Sequence, residues 1–78
     1  MTREQLAEVV SRLDAGAEFT VRNQDGWWGL RRGAEGITEW SRSPFDECVP
    51  ERLVTLEEVE RMIGGWDYDE VVARLSPR

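Results

Sequence analysis

Trp27 and Trp28 stand side by side in a short alternating stretch between two glycine-bearing turns, and that doublet limits what the chain can become. On an extended backbone, neighbouring side chains point to opposite faces, so the two indoles cannot both enter one hydrophobic layer. The first turn, Asn23-Gln24-Asp25-Gly26, ends in an Asp-Gly pair that tolerates positive φ, and the second is Gly33-Ala34-Glu35-Gly36. Before them, Ala17, Phe19 and Val21 alternate with Glu18, Thr20 and Arg22; after them, Ile37 to Arg42 reads as a further strand. The pattern predicts strands over 17–23, 27–32 and 37–42, joined as an antiparallel meander.

Helical spacing flanks this sheet on both sides. Thr2 and Gln5 form a capping box ahead of Leu6, Val9, Val10 and Leu13, with Gly16 as a natural stop, which predicts a helix over 3–15. Its other face carries Glu8 and Arg12, spaced as an i,i+4 pair. The stretch 43–54 opens on Ser43-Pro44, holds Pro50 and has no clear period, so it is expected to be irregular. Thr55 and Glu58 make a second capping box for a helix over 56–63 that Gly64-Gly65 breaks. Asp67 with Glu70 signals a third helix over 68–75, ended by Pro77. The expected fold is α+β in the order α-β-β-β-α-α: a three-stranded meander in one small domain over 1–78, packed on one face by helices. Leu56, Val59, Ile63, Val71 and Leu75 are the residues expected to pack the two C-terminal helices on the sheet.

A chain of 78 residues buries a small core, so each large side chain matters, and core filling is the plain reading of Trp27, Trp28, Trp40 and Trp66. Composition then removes chemistry. The chain has no histidine, so neither a Ser-His-Asp nor a Cys-His arrangement can be built, and Cys48 lies beside Asp46 and Glu47, which hold a thiol in its unreactive form. One cysteine without imidazoles makes a poor zinc site, and Asp67, Asp69 and Glu70 read as a helix first turn rather than a calcium loop. No enzyme activity, cofactor or metal is expected. A lone cysteine, a polar start MTREQLAEVV and no long apolar run point to a cytoplasmic protein that does not cross a membrane.

The net charge of −6 opposes binding to nucleic acid or anionic membrane. The two C-terminal helices have the length of a helix-turn-helix, but Asp67, Asp69 and Glu70 would face phosphate where such a motif approaches DNA. Residues 21–42 are different: four arginines against Asp25, Glu35 and Glu39 give +1, leaving −7 for the rest of the chain. With Trp28 and Leu30 on the core side, Trp27, Gly29 and Arg31 face outward, joined by Arg22 if Phe19 and Val21 point inward.

Exposed tryptophan and arginine are enriched where proteins bind one another. The expectation is a non-enzymatic protein-binding or adaptor module with Arg22, Trp27, Arg31, Trp40 and Arg42 as contacts. The partner is another protein, or a second copy docked through a sheet edge. Two alternatives are a single-stranded nucleic-acid binder using the same surface and an acidic nucleic-acid mimic acting on a basic enzyme. The competing structural expectation is that Phe45, Val49 and Leu53 fold over the outer face and cover it.

Overall fold

The computed structural model describes residues 1–43 and 49–76. Pro44, Phe45, Asp46, Glu47, Cys48 and Pro77, which carry the expectations for the thiol, for part of the loop and for the last helix stop, lie outside the described residues. Both capping boxes form. In α1 (Arg3–Asp14), Thr2 Oγ1 accepts from the Gln5 N–H at 3.1 Å and Gln5 Oε1 accepts from the Thr2 N–H at 2.9 Å. In α2 (Leu56–Ile63), Thr55 and Glu58 repeat the exchange at 3.1 and 3.2 Å. A cap of this kind contributes about 1 kcal/mol, a substantial share for short helices. The Glu8–Arg12 pair forms at 3.4 Å, and Gly16 follows the Ala15 cap at φ 108°, ending α1 one residue before the expected limit.

The meander consists of β1 (Glu18–Asn23), β2 (Gly26–Arg32) and β3 (Ile37–Arg42). Asn23 pairs with Gly26 across a two-residue turn, Gly26 has φ 130°, and Asn23 Oδ1 accepts from the Asp25 N–H at 2.9 Å. Ala17 stays outside β1, whereas Gly26 joins β2 one residue ahead of the expected start.

The sheet is larger than the sequence suggests. β4 (Arg52–Leu53) lies within the segment expected to be irregular and pairs with Thr38 and Glu39 of β3. α3 (Tyr68–Ala73) ends before the expected residue 75, and Leu75 and Ser76 form β5 against Phe19 and Glu18. The result is a five-stranded antiparallel sheet in the order β4-β3-β2-β1-β5, with α-β-β-β-β-α-α-β along the chain. Two-residue strands leave no period to read, and their hydrogen bonds go to distant partners. Their shortness also leaves little exposed edge.

The helices cover one face. Phe19, Leu30 and Ile37 from the sheet join Val9, Leu13, Val54, Val59, Ile63 and Val71 in one buried cluster. Two packing expectations are corrected. Leu56 is 65% exposed, because it opens α2 and the apolar layer begins a turn later at Val59, and Leu75 reaches the core layer from a strand opposite Phe19. Asp67 stands at the α3 N-cap but makes no side-chain cap bond; Asp69 and Glu70 in the first turn still complement the helix dipole.

Phe19 lies edge-on to Trp28, with centroids 5.7 Å apart, and to Trp66 at 5.8 Å. Trp28 Nε1 donates to Glu39 Oε2 at 2.7 Å, and Arg52 reaches Glu39 at 3.1 Å and Glu58 at 2.6 Å. These bonds join β2, β3, β4 and the start of α2. They also hold Glu58 below, and Arg52 above, its ordinary pKa.

Candidate functional site

The register divides the doublet as alternation requires. Trp28 pairs with Val21 and Ser41 on the helix side, while Trp27 pairs with Arg22 and Arg42 on the other. Gly29, one residue on, pairs with Thr20 and Trp40, and Arg31 pairs with Thr38, which pairs in turn with Leu53. All five residues selected from the sequence, Arg22, Trp27, Arg31, Trp40 and Arg42, therefore lie on the outer face. The four tryptophans are all half-buried, but only Trp28 and Trp66 pack against the hydrophobic core.

Gly29 shapes this surface. A Cβ built there would sit 2.2 Å from the Phe19 carbonyl oxygen and 2.8 Å from two atoms of the Trp40 ring, so the indole lies across the backbone where other residues would carry a side chain. Trp40 Nε1 is buried with no acceptor among the described residues. A donor in that position costs about 1–3 kcal/mol compared with a satisfied one. Around Trp40, the side chains of Glu18, Thr20, Trp27, Arg31 and Arg42 line a shallow concavity of about 230 Å³.

The arginines on this face are not equivalent. Arg31 stacks by Trp40 at 5.5 Å from the ring centroid, lies 3.8 Å from Glu18 and hydrogen-bonds to Glu51. Thr38 Oγ1 donates to the other oxygen of Glu51 at 2.8 Å. These two donors, Arg31 first, hold the Glu51 carboxyl below its ordinary pKa, and the Glu51 bond raises that of Arg31. Arg22 instead lies over Trp27, 5.4 Å from the ring centroid. Arg22 and Arg42 are exposed and, among the described residues, have no carboxylate partner. Positive charge is thus available beside Trp27 and neutralised beside Trp40. Alternation identified the row residues, and extending it to Thr20 and Thr38 would have completed them. Glu51 gives no such signal, because it arrives from the approach to β4.

The expected cover is not formed by the described part of 43–54. Val49 and Leu53 are each 51% exposed, and β4 extends the sheet at its edge; Phe45 lies outside the described residues. No described helix is long and apolar enough to cross a membrane. Comparison with known proteins finds no matching family, no matching curated protein and no matching solved structure.

Proposed function

We propose that this chain is a non-enzymatic protein-binding module that docks its partner on the outer sheet face through Arg22, Trp27, Trp40 and Arg42, with Arg31 as a structural strut behind Trp40. The observation that carries the reading is the row Arg22–Trp27–Arg42, in which an indole outside the core is flanked by two arginines that have no carboxylate partner among the described residues. Tryptophan offers large contact area at low entropic cost, and arginine offers several donors in a fixed plane, which is the chemistry of interface hot spots. Neither indole of this face packs against the hydrophobic core, so placing them here needs another reason.

The test is capture from a lysate with wild-type and Trp27→Ala/Arg42→Ala baits, quantified by mass spectrometry. Partners retained by the first and lost from the second support the surface, provided that both baits unfold at similar temperatures. The same proteins on both baits, or none on either, overturns the reading.

A further inference from the structure

The outer face also has a direction along its strands. At one end, Arg22 and Arg42 flank Trp27 with no carboxylate partner among the described residues, and at the other Arg31 is closed off by Glu18 and Glu51. The concavity centred on Thr20 and Trp40 lies between these ends. Its volume of about 230 Å³ is below the roughly 300–1,000 Å³ of sites that enclose whole small molecules, and suits a single large side chain. The row of Trp27 and the row of Gly29 are two residues apart, so about 6.7 Å separates them along the sheet. An extended peptide spaces its i and i+2 side chains by the same distance and points them to the same side.

From these dimensions, and resting on the protein-binding reading above, we propose that the occupant is an extended acidic segment of a partner protein. In it a large apolar side chain enters the concavity against Trp27 and Trp40, and an aspartate or glutamate two residues away is shared by Arg22 and Arg42. The charge pattern favours this over a nucleic-acid strand. Among the described residues only one row of the face offers cations without a carboxylate partner, and Glu18 and Glu51 would meet the next phosphate along a backbone that repeats its charge at every nucleotide. A peptide with one carboxylate avoids that second encounter, and the repulsion from the acidic remainder of the chain is largely screened beyond about 8 Å at physiological salt.

The experiment is a tryptophan-fluorescence titration with short, blocked, tryptophan-free peptides. They carry leucine in a serine background and, two positions on, aspartate, asparagine or lysine; decathymidylate is a fourth probe. The aspartate peptide is expected to bind about tenfold or more tighter than the asparagine peptide, as a charge-assisted contact implies. The preference should shrink with salt and vanish in Arg22→Gln/Arg42→Gln, whose exposed substitutions leave the fold intact. Trp27→Ala should weaken both peptides, and Trp27→Phe, which keeps a ring, should restore part of the loss. Equal binding of the aspartate and asparagine peptides overturns the acidic assignment while supporting a peptide-binding face. Tighter binding of the lysine peptide or of decathymidylate overturns it in favour of another class of partner. Failure of all three peptides overturns it as well, and the lysate capture then decides the protein-binding reading separately.

Discussion

The two faces of the sheet use the same residue types in opposite ways. On the helix side, Trp28 meets Phe19 edge-on and its Nε1 is satisfied by Glu39; on the outer side, Trp40 lies over bare backbone with its Nε1 buried and without an acceptor among the described residues. Arginine differs too: Arg52 is fixed between Glu39 and Glu58 at the helix-side edge, whereas Arg22 and Arg42 outside have no acidic partner among the described residues. On the helix side the Trp28 donor and the Arg52 cation are both matched, while on the outer face Arg31 is matched by Glu18 and Glu51 but Trp40 Nε1, Arg22 and Arg42 have no such partner among the described residues. The lesson is that counting tryptophans says little about a core until each is assigned to a side.

The largest expected contrast is in truncation of the core. Phe19→Ala removes the ring between Trp28 and Trp66 from a fully buried position and should cost about 3–5 kcal/mol by urea unfolding, enough to leave a domain of this size largely unfolded. A loss below about 1 kcal/mol would mean that the helix-side layer is not the stabilising one. Next in size is Gly29→Ala. The added methyl meets the Phe19 carbonyl as well as the Trp40 ring, so strand pairing must shift, and a loss of about 2 kcal/mol or more is expected in the same assay. Because the methyl meets the Trp40 ring and displaces the neighbouring strand at the Phe19 carbonyl, it should alter the near-UV dichroism of the indoles as well as the unfolding midpoint.

A finer comparison replaces each paired or unpaired indole by a ring without a donor. Trp28→Phe loses the bond to Glu39 and should cost about 1–2 kcal/mol, whereas Trp40→Phe deletes an unsatisfied donor and should be neutral or slightly stabilising. Equal losses would break the distinction between the faces. The smallest effect concerns acid. Glu51 has a folded-state pKa below the ordinary value of 4.5, so its contribution is complete above that value and is lost as pH falls through the lower, folded one. Because the pair is partly exposed, Glu51→Gln should reduce stability at neutral pH by less than about 1 kcal/mol, with wild type and variant converging as the pH drops below 4.5. A difference that grows on acidification contradicts the Arg31–Glu51 pairing.

Legibility from sequence followed the length of the pattern. Three strands of six or seven residues, two capping boxes and the parity of Trp27 against Trp28 were readable because each rests on neighbours in the chain. β4 and β5 were not readable, since Arg52, Leu53, Leu75 and Ser76 become strands only through distant backbone partners. Leu75 is instructive: an apolar residue at that position satisfies a helical stripe and a two-residue strand equally well, and tertiary pairing decided between them. For the outer face, alternation named the row residues but not which arginines remain unpaired, because Glu51 reaches Arg31 across the sheet from outside the meander.

Unfolding free energies of Trp27→Ala and Trp28→Ala, measured side by side in urea, test the division of the doublet most directly. Trp28→Ala should cost at least about 2 kcal/mol, from lost packing on Phe19 and the lost bond to Glu39, and Trp27→Ala less than about 1 kcal/mol, mainly its stacking with Arg22. Equal costs, or a larger one at Trp27, would show that the outer indole also holds the fold together, and the docking surface proposed for it would lose its basis.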